Sequence, residues 1–173
     1  MTPDEIRALT LTEVAAAIRT GALTSVEVTQ ACIDHASATE STLHTFVRFM
    51  PVEAMERAMA ADAALVVAVG PRDWGDLASD AALARGELWG PLHGVPVAFK
   101  DNLDTAGIPT ECGSPVLAGR VPTKNAFVVD QVLNAGAISL GKLNMHEFAY
   151  GDTSAQSHYG PVRNPWSRDH VAG

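Results

Sequence analysis

Two short apolar runs, joined by a segment of helical periodicity, constrain this chain's fold more than any other feature. Val95-Pro96-Val97-Ala98-Phe99 is bounded by Gly94 and by the polar Lys100-Asp101-Asn102, which is the pattern of a short buried strand. Phe127, Val128, Gln131, Val132 and Ala135 suit one face of a helix, which Gly136 can close. Ala137 to Leu140 reads as a second buried strand ended by Gly141. Strand, crossover helix and strand in that order predict parallel pairing with a right-handed crossover, and so an α/β fold.

The first part of the chain is alanine-rich and helical in pattern. Thr10-Leu11-Thr12-Glu13 matches a capping box, with a hydroxyl at the cap and a carboxylate three residues on. Leu11, Val14, Ala15 and Ile18 then follow one apolar face, and Gly21 can end that helix in the left-handed conformation. Thr24-Ser25-Val26-Glu27 repeats the capping signal ahead of the stripe Val28, Ala31, Cys32 and His35. Leu43 to Met50 mixes β-branched and aromatic residues and predicts a short extended segment. Pro51 fits the first turn of a third helix running through Met55, Ala58, Met59 and Asp62. Gly70 to Gly90 is rich in glycine and proline and predicts a loop around a short helix, the best candidate for a variable insertion.

Composition narrows the function classes. With 173 residues, the length alone predicts one domain. An apolar fraction of 47% against 18% charged excludes a disordered polyelectrolyte. The net charge of −8 lacks the footprint of a nucleic-acid binder. The acid is uneven: residues 1–90 carry a net −7, and residues 91–173 only −1. Two cysteines, Cys32 and Cys112, are too few for a disulfide scaffold. No apolar run reaches the roughly 18 residues that span a membrane. The acidic, polar start MTPDEIRALT is unlike a secretory signal, so a soluble cytoplasmic protein is expected.

Few residues offer chemistry. The only lysines are Lys100, Lys124 and Lys142. Lys100 directly follows the first apolar run. A lysine at the mouth of a buried strand is partly desolvated, which lowers its pKa and suits it to act as a base. It can equally snorkel and pair with Asp101 or Asp104. Lys142 follows the second run, and strand position does not choose between the two. Histidines 35, 44, 93, 146, 158 and 170 form no HExxH pattern, so no metal site is expected. Neither cysteine carries a CxxC or nucleophile signature, and buried packing is expected of them. No serine lies in GxSxG or SxxK, Ser114 and Ser139 reading as turn or strand residues and Ser154 and Ser157 as part of a polar loop. Phosphate-cradling glycine motifs are absent as well. The chain thus offers a plausible base without an evident nucleophile.

The run GPLHGVPVAFKDNLDTAGIPTECGS, from Gly90 to Ser114, resembles the lysine motif of the amidase signature family. The resemblance continues through AGAISLGKLNMHEFAYG, from Ala135 to Gly151, and GPVRNPW, from Gly160 to Trp166. LTEVAAAIRTGALTSVEV is similar to the family's N-terminal helices. The family hydrolyses or transfers amides with a serine–cis-serine–lysine triad. The resemblance makes Lys100 the catalytic lysine, whereas Lys142 matches a Gly-Lys-x-Asn stretch that is not the base. It implies a mixed-sheet α/β/α sandwich, here only the N-terminal part of an incomplete amidase domain. Residues 1–69 would be a helical layer, 70–89 a loop or insertion, and 90–173 the start of the catalytic core. Asn164-Pro165-Trp166 should lead into a Gly/Ser-rich run carrying the bridging serine. Here it is followed by Ser167 to Gly173, so no serine can be carried over and the chain alone is expected to be inactive. The loop Ser154 to Tyr159 departs from the family's usual asparagine and proline, which puts substrate preference in doubt. No cofactor and no metal are implied. The expected partners are a small-molecule amide substrate and a second copy or a partner subunit, without nucleic acid or membrane. The alternatives are a non-catalytic interaction module and the amidase subunit of a tRNA-dependent amidotransferase.

Overall fold

The computed structural model describes residues 1–69 and 88–172, with only the backbone for 67–69. Most of the expected loop at 70–89 therefore lies outside the described residues. In chain order the elements are α1 (Pro3–Ala8), α2 (Leu11–Arg19), α3 (Ser25–Leu43), β1 (Phe46–Phe49), α4 (Pro51–Val69), β2 (Pro96–Lys100), α5 (Phe127–Asn134) and β3 (Ile138–Leu143). Single 3-10 turns lie at Pro115–Leu117 and Glu147–Ala149. The chain divides into two compact units that interleave in sequence. One comprises Met1–Asp34, Met50–Val97 and Gln131–Leu140, and the other His35–Phe49, Ala98–Asp130 and Gly141–Gly173.

The first unit is built from capped helices. Thr2 and Thr10 close capping boxes with Glu5 and Glu13, so α1 and α2 start where a hydroxyl satisfies an orphan amide. Short α1 has no counterpart in the sequence reading, although Thr2-Pro3-Asp4-Glu5 carries the same signal. At the start of α3, Thr24 and Glu27 form the third box. The Asp62 carboxylate on α4 also accepts the amides of Ser25 at 2.6 Å and Val26 at 3.0 Å. This carboxylate favours the positive end of α3 and ties two helices together. Ile6, Val14, Ile18, Leu23, Val28 and Val95 belong to one buried cluster between these helices and the start of β2. Arg57 stacks over the Trp89 ring at 4.0 Å.

The three strands form one sheet in the order β1-β3-β2. Gly94 N–H donates to Gly136 O, Ile138 N–H to Val95 O, and Asp101 N–H to Leu143 O. Partner numbers rise together, so β2 and β3 run parallel, as the strand–helix–strand order predicts. β1 pairs antiparallel with β3 through Phe46–Leu143, Arg48–Lys142 and Phe49–Gly141, with a register shift between Phe46 and Arg48. The sheet is therefore mixed, and the architecture is α/β.

One boundary differs from expectation in a way that matters. Gly141 does not end the second strand, because β3 continues to Leu143. At Gly141, φ is +130°, and a Cβ there would overlap Arg48 O. The glycine lets the β1 backbone approach closely inside the strand, rather than terminating it. Lys142 consequently lies within β3.

Candidate active site at the end of strand β2

Lys100 is the last residue of β2, and its side chain is exposed. Phe99 before it is buried, so strand alternation turns the lysine outward. The desolvation expected of Lys100 is found instead at Lys142. That side chain is 0% exposed, and burial pushes its ammonium down from the ordinary lysine value. Its Nζ donates to Leu103 O at 2.5 Å, Thr110 Oγ1 at 2.8 Å and Thr105 Oγ1 at 3.1 Å. An ammonium has three N–H donors, and all three are taken.

Neither Asp101 nor Asp104 pairs with Lys100. Asp101 is 1% exposed, and its Oδ1 lies 4.0 Å from Lys142 Nζ. Its Oδ2 accepts the backbone amides of Glu111 and Gly113. Burial raises the Asp101 carboxyl, while those amides and the Lys142 charge pull it back. Asp104 makes a two-point bond with Arg120, at 2.6 and 2.8 Å, and this holds its carboxyl below the usual range. Arg120 also donates to Thr110 O, so the turn after Lys100 is closed at both ends.

Three further turns are stitched beside this segment. Asn144 Oδ1 accepts from Ser157 Oγ at 2.6 Å, and its Nδ2 donates to His44 O and Gly160 O. Phe148 N–H donates to Cys112 O, Glu147 N–H to Gln156 O, and His158 N–H to Gly113 O. Tyr159 OH donates to the Glu111 carboxylate. Cys112, Phe148, Ala149 and Ser154 all have φ between +51° and +55°, which is strained for non-glycine residues. Such strain persists only where surrounding contacts over-determine the backbone, and it clusters at functional sites.

The remaining candidates divide plainly. Ser114 is buried, caps a 3-10 turn and donates to Glu147 at 2.5 Å, as a structural turn residue does. His93 is buried between Trp89 N–H, which it accepts, and Ala61 O, to which Nε2–H donates. The two cysteines are free and half-buried. Among the described residues no group of three or more His, Cys, Asp or Glu could hold a metal ion. No described helix is long and apolar enough to cross a membrane. Asp101, Thr105 and Thr110 are the site residues sequence reasoning did not assemble, since their common partner lies 32 to 41 positions away; only the run KDNLDTAGIPT itself marked them.

The amidase family profile matches residues 76–173. The chain belongs to the amidase family. It is 39% identical over 169 residues to a glutamyl-tRNA(Gln) amidotransferase subunit from Chloroflexus aurantiacus, covering 98% of this chain and 31% of that protein. Its identity to the corresponding protein from Acidothermus cellulolyticus is 40% over 164 residues, covering 95% of this chain and 29% of that one. The native peptide amidase of Stenotrophomonas maltophilia superposes with a TM-score of 0.73 at 29% identity, over 95% of this chain and 31% of that one. The chain thus spans about a third of the length of these amidase relatives. Its α/β architecture is a portion of their fold.

Proposed function

We propose that the protein to which this chain belongs cleaves or transfers amide C–N bonds, with Lys100 as the base. One observation carries the assignment. Of the two lysines on the paired parallel strands, Lys142 has all its donors committed, and Lys100 projects freely from the strand end. Ligands of parallel α/β sheets gather at carboxyl ends of strands. In this reading residues 1–69 form a helical layer and 90–173 begin the catalytic core.

The chemistry is proton transfer coupled to acyl transfer. Lys100, as the general base, takes a proton from a bridging serine, which takes one from the nucleophilic serine. The nucleophile attacks the amide carbonyl, the returned proton leaves with the amine, and water releases the acyl group. Neither serine has a counterpart within residues 1–173, so this chain alone should hydrolyse no amide. The test is Lys100→Ala in the full-length gene product, assayed against primary amides including glutamine. The expected loss is on the order of 10²–10⁴-fold in kcat with the fold intact. Retained activity would remove Lys100 from the mechanism.

A second reading is favoured by the names of the relatives, which are amidotransferase subunits. Here the amide ammonia passes to an acceptor with a partner subunit present. Glutamine hydrolysis that requires a co-purifying partner selects this reading, and partner-independent turnover selects a free-standing amidase.

A further inference from the structure

We propose that Asp101 and Lys142 form a buried positioning pair that fixes the strand end from which Lys100 projects. The proposal rests on the reading of Lys100 as the base. Every Lys142 acceptor lies in residues 103–110, immediately beyond Lys100. Asp101, the next residue after Lys100, is bound at four points. Its amide donates to Leu143 O on β3 at 3.0 Å, and its carbonyl accepts from Cys112 N–H at 3.2 Å. Its Oδ2 accepts from Glu111 N–H at 3.0 Å and Gly113 N–H at 3.4 Å. The outgoing turn is thus held by Lys142 and the returning turn by Asp101, with the two charges facing each other at 4.0 Å.

The remaining Asp101 oxygen, Oδ1, is buried and has no hydrogen-bond partner, so the Lys142 charge is what compensates it. Taking two charges out of water is costly, and apolar residues of like volume often serve stability as well. What apolar residues cannot do is hold five backbone and hydroxyl groups of one turn in fixed directions. Lys142 does not touch the reacting atoms, since its donors are consumed. It acts through the backbone on either side of Lys100, where a shift on the order of 1 Å costs about a hundredfold in rate.

The experiment uses the full-length gene product with Lys142→Met, Thr110→Val and Lys100→Ala. Thr110→Val keeps shape and charge and deletes one hydroxyl, which accepts from Lys142 and donates to Ile108 O, so it reports even where Lys142→Met does not fold. The expected result for Thr110→Val is a fall in kcat on the order of tenfold with KM within about twofold, because orientation and not binding is lost. Amide exchange at Glu111, Cys112 and Gly113 should accelerate. Unchanged kcat and exchange in a folded Thr110→Val protein would overturn the positioning pair. So would a lowered melting temperature as the sole effect. If Lys100→Ala keeps its activity, the functional reading fails separately, and the exchange readout still decides whether the pair holds the turn.

Discussion

The ammonium of Lys142 stands 4.0 Å from Oδ1 of Asp101, and both side chains are sealed from solvent. Each makes the other's charge tolerable. Burial alone drives the lysine down and the carboxyl up, toward two neutral groups. Their attraction and the surrounding donors and acceptors oppose that drift. Asp101→Ala therefore leaves a buried ammonium with no counter-charge and frees the amides of Glu111 and Gly113. The expected cost is about 3–5 kcal/mol in urea unfolding. The sign with pH follows from the lowered lysine. The folded state binds that proton less readily than the unfolded chain, so with Asp101 removed stability should rise as pH increases toward the ordinary lysine value. A flat profile and an unmoved midpoint would show that the pair contributes nothing.

His93 makes a second pH prediction, in the acid range. Its imidazole is 1% exposed, and burial lowers its pKa, with bonds to Trp89 and Ala61 that suit the neutral ring. The unfolded chain takes up a proton near the ordinary imidazole value, about 6.5, where the folded state resists it. Stability should then decline as pH falls below that value, with a slope of up to about 1.4 kcal/mol per pH unit. His93→Gln cannot titrate and should lose that slope. Urea melts from pH 7.5 to 5 decide the matter, and an equal slope in both proteins would mean that other groups supply it.

How much of this was legible follows from the range of each interaction. The strand–helix–strand core could be read locally, because periodicity and bounding glycines lie within each segment. Gly141 misled, since a glycine after an apolar run looks the same whether it ends a strand or lets another backbone approach. That other backbone is β1, almost a hundred residues earlier, and no local pattern announces the pairing of Arg48 with Lys142. The burial of Lys142 was invisible for a similar reason. A lysine is buried only where acceptors converge, and its three come from a turn 32 to 39 residues away. The proposal of Lys100 as a site residue comes from the motif it sits in. Its exposure follows from plain alternation after Phe99.

Gly141→Ala tests the close approach of β1 and β3. The new methyl would meet Arg48 O in a backbone conformation that side chains avoid. Strain and overlap together should cost about 2–5 kcal/mol. Gly107→Ala is the control, because its φ is +75° with nothing within 4 Å of the added atom. It should cost only the backbone term, about 1–2 kcal/mol. Equal losses at the two sites would mean that β1 yields without resistance.

The two strand lysines should differ sharply toward amine-reactive reagents. Acylation needs access to the nitrogen and a free lone pair. Lys100 and Lys124 are exposed, so both meet the first condition. Lys142 is fully buried, and its Nζ already donates to one carbonyl and two hydroxyls. Although burial lowers its pKa, a reagent can reach it only after the 103–110 turn opens. Brief acetylation of the folded chain, read by peptide mass spectrometry, should label Lys100 and Lys124 and spare Lys142. Urea should bring Lys142 to the same rate as the others. Thr110→Val should raise its labelling under native conditions, because one of the three bonds closing the turn is gone. Prompt native labelling of Lys142 in the unaltered chain would contradict its burial and, with it, the contrast on which the proposed role of Lys100 rests.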